Sequence, residues 1–456
     1  MTIDAARLKQ LIDARNFEEA GRRLPEAGAA DLAALHVGDL LRYVWSLSDH
    51  DRRAVPAALL RDLRNRRPAD PTWALFLAAE LVIHGLPADA VAVMEAMLDA
   101  TPQKGFWLWR WINQLVAMGR SADARARLDD LSTRHAGLFG TAMAAVEIDM
   151  AERRFGVAAA SLEQIAARFP DAADGLRRRV DRARLYDALA RRFAAARAAA
   201  PDYAVFAINL DEHPLRFAGL RAQLPAGRPP LRRVPGVKGR YLPDTAAATL
   251  GGATGAAQKG TLGCFLAHVA AWERIARGAH LHALVLEDDV RLVLDLPESI
   301  AAFDLPPGYD LCFAGDGTEP EGLPLPTAAP RWIALAEALA TKPADWEAPG
   351  AFGYFLSRAG ATKLLGLVAR DGCSGDVDWR LVAYALGKAR CRQWPRDHAA
   401  FTRLGAHCDR IGPEAALAAW CLSPSLFRPG RIGSTRKTDD RDEIVPVGQA
   451  AAPVGP

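Results

Sequence analysis

Residues 282–290 read His-Ala-Leu-Val-Leu-Glu-Asp-Asp-Val, an apolar segment that runs directly into three consecutive carboxylates. The apolar part predicts a buried strand, so Glu287, Asp288 and Asp289 stand at the end of that strand. Three acids at one strand end repel one another and are costly to desolvate unless a cation or hydrogen-bond donors compensate them. Hard divalent cations such as Mg²⁺ and Mn²⁺ prefer oxygen ligands of this kind. Taken alone, the stretch is also typical of a loop whose acids cap a following helix.

Apolar segments alternate with helical patterns on both sides of this stretch. Residues 204–210, 309–315 and 353–358 predict further strands, and residues 262–277 and 361–367 predict helices. Strands that alternate with helices favour an α/β sheet with parallel strands. In open sheets of that class, ligands bind at the carboxyl ends of the strands. The triple acid therefore stands where a ligand is expected.

Length and composition predict how many domains the chain has and exclude several classes of protein. A chain of 456 residues predicts two or three domains, and a net charge of only +3 gives no support for nucleic-acid binding. The first residues lack the apolar core of a signal peptide, and no apolar stretch is long enough to span a bilayer. None of the six cysteines has Cys-x-x-Cys spacing, which argues against a zinc site. We expect a cytoplasmic protein without a transmembrane segment, with peripheral binding at the inner face of the membrane as the alternative.

Residues 1–200 are rich in Ala, Leu and Arg and carry a repeat of 34 residues. The positions that share this period are small or turn-forming: Ala90, Ala124, Ala158, Gly85, Gly119, Pro68, Pro102 and Pro170. The alanines allow two helices to approach closely, the glycines suit the turn between them, and the prolines end the second helix. The pattern resembles the tetratricopeptide repeat, whose stacked helix pairs bind a protein or peptide on a concave face. Packing against the second domain is the equal alternative.

Several ordered motifs lie across residues 203–436. They are Ile208-Asn209-Leu210 with Arg216, Val234 with Gly239, Gly260–His268 with Trp272, Leu284–Val290, Tyr354–Ala361, and Val377-Asp378. In this order they resemble glycosyltransferase family 25, which contains bacterial lipopolysaccharide galactosyltransferases. The chain departs from the family at Thr261, where an acid is usual, and at Ala267, where a serine is usual. These departures affect the expected hydrogen bonding near His268 and leave the triple acid intact.

The resemblance implies a fold and a division of the chain. It implies a GT-A-type α/β nucleotide-sugar-binding domain over residues 201–436, preceded by the all-α tetratricopeptide-like domain over residues 1–200. Residues 437–456 are polar and rich in Pro, Gly and Ala, and they predict a disordered tail.

The resemblance also implies inverting transfer of a hexose from a UDP-sugar with a divalent metal, Mn²⁺ or Mg²⁺, and galactose is the expected sugar. Asp289 is then the leading metal ligand with Glu287 beside it, while Asp378 is the leading general base and Asp376 the second choice. The candidate residues for binding the donor are Asn209, Arg216, Lys259, His268, Glu287, Asp288 and Ser434.

Several of these residues also have a purely structural interpretation. Asp376 or Asp378 could cap a helix that begins at residue 379. His268 could be a buried structural histidine, and Lys259 and Arg216 could be ordinary surface charges. The residue types alone do not separate these alternatives.

Three functions agree with the sequence. The leading one is a glycosyltransferase that acts on a glycan or protein acceptor, with the helical repeats recruiting the acceptor or a partner protein. The second is a catalytically inactive binding scaffold, against which the intact Glu287-Asp288-Asp289 argues. The third is a nucleotide-sugar hydrolase, which uses the same metal site and is not separated from a transferase by sequence.

Overall fold

A computed structural model describes residues 5–13, 57–65, 71–195, 203–224, 231–251, 256–294, 305–326, 329–347 and 349–429. Pro68, Ser434 and the tail at residues 437–456 lie outside these ranges. The chain divides into two compact units, and the division falls between Leu176 and Arg177. The sequence analysis set the domain boundary near residue 200, so the division comes about one helix earlier.

The described residues of the first unit form helices joined by turns. They are α1 (Ala5–Asp13), α2 (Ala57–Asn65), α3 (Pro71–Ile83), α4 (Pro87–Ala100), α5 (Lys104–Ala117), α6 (Ser121–His135), α7 (Phe139–Ala151), α8 (Phe155–Arg168) and the start of α9 (Ala173–Ala195). Helices α3 to α8 form three successive pairs that follow the 34-residue period. Ala90, Ala124 and Ala158 are all fully buried, as the period predicts.

The turn within each pair uses a left-handed backbone. Gly85 and Gly119 have φ angles of 70° and 73°. Arg153 occupies the third equivalent position with a φ of 60°, although its side chain disfavours this conformation. Helices α4 and α8 end two residues before Pro102 and Pro170, as expected. The repeated helix pairs are thus confirmed, whereas their kinship with the tetratricopeptide family stays a prediction.

The second unit contains a seven-stranded sheet with the order β2-β1-β3-β7-β5-β8-β6. The strands are β1 (Tyr203–Asn209), β2 (Leu231–Pro235), β3 (His282–Glu287), β5 (Leu311–Phe313), β6 (Arg331–Ala334), β7 (Gly353–Ser357) and β8 (Ala419–Ser423). A separate antiparallel pair joins β4 (Val290–Leu292) to β9 (Phe427–Pro429).

The sheet is mixed, so the expectation of parallel strands is wrong in part. Strand β1 pairs in parallel with β2 and β3, and β5 pairs in parallel with β8. Strand β7 runs antiparallel between β3 and β5, and β6 runs antiparallel to β8. Strand direction cannot be read from periodicity, because alternation of strands and helices does not fix which strands become neighbours.

The helices of this unit are the remainder of α9, α10 (Pro214–Ala222), α11 (Asp244–Gly251), α12 (Ala256–Ala276), α13 (Leu335–Leu339), α14 (Arg358–Asp371), α15 (Val377–Cys391) and α16 (Ala399–Cys408). The core lies between the sheet and these helices, and it includes Phe265, Trp272, Phe313, Tyr354 and Tyr384. An α/β unit and a helical unit are therefore both observed. The finer GT-A assignment remains a proposal.

Candidate active site

One edge of the sheet collects most of the predicted site residues. The parallel strands β1 and β3 both end there, with Ile208 opposite Glu287 and Asn209 next in line. The antiparallel strand β7 begins at the same edge, where Gly353 pairs with Leu286. Asp288 and Asp289 form the turn that follows Glu287 and leads into β4. Because a strand follows this turn, the three acids do not cap a helix, and that alternative is excluded.

Asp288 is held by the end of β1 and by α10. The Asn209 side-chain amide donates to Asp288 Oδ2 at 2.6 Å, and Arg216 Nη1 lies 3.9 Å from Asp288 Oδ1. Arg233 Nε donates to Asn209 Oδ1 at 2.8 Å, which fixes the orientation of the amide. Burial raises the pKa of Asp288, while the Arg216 charge and the Asn209 hydrogen bond oppose the shift. Arg233 is not among the predicted site residues, because its place in β2 carries no motif.

Asp289 is the least compensated acid of the three. Its Oδ1 is buried and has no hydrogen-bond partner among the residues that the structure describes. Burial raises the pKa of Asp289 well above its ordinary value, and the charges of Glu287 and Asp288 raise it further. Arg216 opposes this shift. An ionised Asp289 therefore needs a positive charge beyond what the described part of the chain supplies.

Glu287 is the last member of a buried hydrogen-bond chain. Trp272 Nε1 donates to the Tyr354 hydroxyl at 2.9 Å, and that hydroxyl lies 2.9 Å from His268 Nδ1. His268 Nε2 lies 3.2 Å from Glu287 Oε1, and the His268 side chain is fully buried. With Glu287 ionised, every group is satisfied when Tyr354 donates to Nδ1 and the Nε2 proton points to Glu287. His268 thus orients Glu287, so a role next to the acids is favoured over a remote structural one.

The first half of α12, which leads to His268, packs closely against the segment around Gly239. A Cβ atom on Gly239 would lie 1.7 Å from the Lys259 carbonyl oxygen, and one on Gly263 would lie 2.3 Å from the Val237 carbonyl oxygen. Only glycine allows this approach. Ala267 is buried in the core, so the position that usually carries serine in family 25 makes no polar contact with His268.

Asp378 joins the same cluster from the start of α15. Its Oδ1 accepts the Ala351 backbone N–H at 3.1 Å, just before β7. Ala351 adjoins Phe352, whose carbonyl oxygen accepts the Glu287 backbone N–H at 2.9 Å, so Asp378 lies near the end of β3. Burial raises the pKa of Tyr354, and the charges of Glu287 and Asp378 raise it further. Helix α15 begins at Val377, and the side chain of its N-cap residue Asp376 makes no capping hydrogen bond. Asp376 Oδ2 instead lies 3.7 Å from Arg403 Nη1.

Arg380 fixes the loop that leads into α15, and sequence analysis missed it. Its side chain is fully buried and donates to the carbonyl oxygens of Gly372 and Ser374 at 3.2 and 2.9 Å. Arg380 Nε donates to His407 Nδ1 at 3.0 Å. Burial and the Arg380 charge lower the pKa of His407 to about 3, so this histidine stays neutral and accepts the bond. No spacing in the sequence separates Arg380 from the many other arginines of the chain.

One donor-binding candidate, Lys259, makes its described contacts away from the acids. The Lys259 Nζ donates to the Leu242 carbonyl at 2.9 Å and pairs with Asp244 at 2.5 Å. Ser434 lies outside the described residues. The structure thus brings together Asn209, Arg216, His268, Glu287, Asp288, Asp289 and Asp378, whereas the described contacts of Lys259 are all elsewhere.

Two sets of side chains at this edge could hold a metal. Cys264, His268 and Glu287 present ligand atoms that all lie within 4.8 Å of one another, a donor set suited to zinc. In the part of the chain that the structure covers, the three acids do not form such a compact group. Mg²⁺ and Mn²⁺ keep several waters, however, so one or two carboxylates suffice for them. The buried, unpartnered Oδ1 of Asp289 fits a hard cation, whereas both ring nitrogens of His268 already have partners.

Comparison of the chain with protein-family models, curated proteins and solved structures gave no match. Among the described helices, none combines the length and the apolar character that crossing a bilayer requires.

Proposed function

We propose that the second unit is a metal-dependent inverting glycosyltransferase that moves a hexose from a UDP-sugar to a glycan or protein acceptor. The observation that carries this proposal is Asp289, a buried carboxylate with an unpartnered oxygen beside two further acids. The family 25 resemblance of the motifs supports the reaction class. Galactose remains the expected sugar, and the cytoplasm remains the expected compartment.

Asp289 and Glu287 are the residues that would hold Mn²⁺ or Mg²⁺. Such an ion, when bound, stabilises the negative charge that develops on the departing diphosphate. Two observations support this assignment. Asp289 Oδ1 lacks a hydrogen-bond partner among the described residues, and the fully buried His268 orients Glu287. Competition by zinc at Cys264, His268 and Glu287 is the alternative to be tested.

Asn209, Arg216 and Asp288 are proposed to orient the donor. Asn209 and Arg216 fix Asp288 from two sides, so its carboxylate can accept hydrogen bonds from ribose or donor-sugar hydroxyls in a set direction. The Arg216 guanidinium also adds positive charge where a diphosphate would approach. Because the three groups sit on a strand end, a helix and a tight turn, the site needs little rearrangement to bind a donor.

Asp378 is proposed to take the proton from the acceptor hydroxyl. In an inverting transfer the acceptor oxygen bonds to the anomeric carbon while the bond to the diphosphate breaks, and the hydroxyl proton passes to a base. The Ala351 N–H holds Asp378 Oδ1 in position, and the Arg380 network holds the loop before it. Asp376 is the weaker candidate, because it lies near the Arg403 guanidinium.

The helical unit is proposed to recruit the protein or glycan acceptor or a partner protein. Its three successive helix pairs repeat one pattern, and stacks of such pairs offer broad surfaces for binding.

One assay separates the three functions. The protein is incubated with Mn²⁺ and a panel of UDP-sugars, with and without candidate acceptors, and release of UDP is followed. Release that depends on an acceptor supports the transferase. Turnover without any acceptor indicates a hydrolase, and no release from any UDP-sugar indicates a scaffold.

A further inference from the structure

A cavity opens in the α/β unit, and none of the three acids lines it. Its volume is about 640 Å³, within the range of about 300–1,000 Å³ that is common for small-molecule sites. Its lining includes Glu337, Arg390, Gln393, Trp394, Pro395 and His398. These residues come from α13, the end of α15 and the segment before α16.

The cavity lies at the opposite end of α15 from Asp378. Leu386 is the first α15 residue that lines it, and Leu386 follows Asp378 by eight residues, roughly 12 Å along a helix. A ligand in this cavity therefore does not touch the reacting atoms at the acids. It would contact a different part of an extended molecule.

Trp394 provides a fixed aromatic wall. Its ring stacks on Trp346 with centroids 6.2 Å apart and an interplanar angle of 28°. Trp346 in turn packs on Trp379 in the core and lies under the Lys342 ammonium group. The His398 ring also packs on Trp394, in a T-shaped contact with centroids 4.5 Å apart. Trp394 is nevertheless only half-buried, so the remaining part of its indole can contact the apolar face of a ligand without rearrangement.

His398 supplies a buried donor. Its Nδ1 accepts the Ala400 backbone N–H at 3.0 Å, so the neutral ring carries its proton on Nε2. His398 is only 5% exposed, and its Nε2 is buried without a hydrogen-bond partner among the described residues. An unsatisfied buried donor of this kind is costly unless a ligand or water accepts from it.

The exposed rim adds groups of opposite character. Glu337 can only accept hydrogen bonds when ionised, Arg390 can only donate, and Gln393 can do both. Lys342 also lines the cavity, and its buried ammonium group is paired with Glu321 at 3.0 Å. Within the described residues, neither Glu337 nor Arg390 forms an ion pair, so one unpaired charge of each sign lines the cavity. A ligand that is neutral and carries groups that both donate and accept matches this lining better than an anion does.

We infer that this cavity binds a neutral saccharide unit of an acceptor glycan, at a distance from the hydroxyl that reacts. This inference rests on the proposed function. A pyranose ring offers an apolar face to Trp394 and hydroxyls that accept from His398 and Arg390 and donate to Glu337. Binding here increases the affinity for an acceptor that also reaches the acids, because both contacts belong to one molecule.

The test is a binding experiment without donor and without metal. Full-length protein is titrated with methyl galactoside, lactose and other neutral mono- and disaccharides, followed by saturation-transfer NMR and by tryptophan fluorescence. Inorganic phosphate and glucuronate serve as anionic probes. Arg390→Ala and Gln393→Ala are each expected to weaken saccharide binding about fivefold to tenfold. Arg392→Ala is the matched control. Arg392 is exposed and lies two residues after Arg390, but it pairs with Asp409 and does not line the cavity.

The outcomes separate this inference from the proposed function. Saccharide binding that is weakened in both variants and unchanged in the control supports the cavity. Absence of saccharide binding, a preference for the anionic probes, or binding unaffected by both variants overturns it, even if acceptor-dependent UDP release is normal. Saccharide binding without UDP release from any donor supports the cavity and counts against the transferase instead.

Discussion

Each unit buries an aspartate, Asp149 in the helical unit and Asp289 in the α/β unit, and the surroundings of these two carboxylates are opposite. In the helical unit, Asp149 accepts from Arg125 Nη2 at 2.9 Å and from Arg154 Nη2 at 2.5 Å. In the α/β unit, Asp289 has an unpartnered Oδ1 and shares its surroundings with Glu287 and Asp288. Burial raises the pKa of both aspartates. Of these two aspartates, only Asp149 is bonded directly by cations of the chain, whereas other buried acids of the α/β unit, such as Glu319 and Asp310, are paired with Arg182 and Lys363.

This difference separates a structural acid from a functional one. A buried acid that serves the fold is paired within the chain, because leaving it alone is costly. An acid left without a partner at the carboxyl edge of a sheet indicates that a ligand supplies the missing charge. Substitution of Asp289 should therefore abolish activity and leave the fold intact, whereas substitution of Asp149 should lower stability and leave activity intact.

The largest effect is expected for Asp289→Ala. Loss of a metal ligand removes several kcal/mol of charge stabilisation, so UDP release should fall by about 10³-fold or more. The fold should persist, since the substitution also removes a repelled charge, and circular dichroism with a thermal melt checks this. Wild-type turnover in this variant would contradict the assignment of Asp289.

Asp378→Asn tests a carboxylate of the same edge that does have a partner, the Ala351 N–H. The amide keeps a carbonyl oxygen for that hydrogen bond and can no longer take a proton. We expect kcat for transfer to fall by about 10²-fold or more, with little change in the KM for the donor. Asp376→Asn is the matched control two residues away, and an equal loss there would shift the base assignment to Asp376.

Asp149→Ala tests the structural side of the comparison. Without the carboxylate, Arg125 and Arg154 lose a shared partner in a partly buried position, so the helical unit should lose about 1–3 kcal/mol of stability. Urea unfolding followed by circular dichroism measures the change. UDP release at low temperature, where the variant stays folded, should match that of the wild type. A large loss of activity in a folded Asp149→Ala protein would break the distinction between the units.

The stability of the wild type and of Asp289→Asn should depend differently on pH. The pKa of Asp289 is raised above its ordinary 3.8 in the folded protein, so the folded state binds the proton more tightly than the unfolded state. In the metal-free protein, the contribution of this group to stability is therefore present below pH 3.8 and is lost as the pH rises through the raised value. Thermal melts in EDTA from pH 4 to 8 should fall more steeply for the wild type than for Asp289→Asn. Added Mn²⁺ should reverse the loss in the wild type alone.

The smallest effect is expected at Arg153 in the helical unit. Arg153→Gly places glycine at a φ of 60°, where an L side chain costs about 1–2 kcal/mol. Part of the gain is offset by the greater freedom of glycine in the unfolded chain, so we expect stabilisation of about 0.5–1 kcal/mol. Denaturant melts measure it, and Gly119→Ala should produce the opposite change. Destabilisation by Arg153→Gly would show that the Arg153 side chain contributes more than its backbone costs.

The sequence is most informative where one local pattern repeats. The spacing of Ala90, Ala124 and Ala158 predicted the helix pairs, because each burial position recurs once per repeat. The same 34-residue register puts Arg153 after Gly85 and Gly119, but an arginine gives no indication of a left-handed turn. Short strands such as β5 and β6 have too few residues for their pairing direction to be read from alternation.

At the candidate site, the motif residues were predictable and their partners were not. The apolar run before Glu287 predicted acids at a strand end, which the structure confirms. Arg233 and Arg380 act through contacts between residues far apart in the chain, such as the bonds from Arg233 to Asn209 and from Arg380 to His407. The donor-binding role of Lys259 stays a prediction, because nothing in the sequence separates a free lysine from one that pairs with Asp244.

The most direct test of the central claim is a Mn²⁺ titration in the presence of UDP, followed by electron paramagnetic resonance. Wild type, Asp289→Asn, Cys264→Ala and Asp149→Asn are compared. The account predicts saturable binding of a single Mn²⁺ in the wild type, in Cys264→Ala and in Asp149→Asn, and loss of that binding in Asp289→Asn. Binding that survives in Asp289→Asn and disappears in Cys264→Ala would contradict it and assign the metal to Cys264, His268 and Glu287.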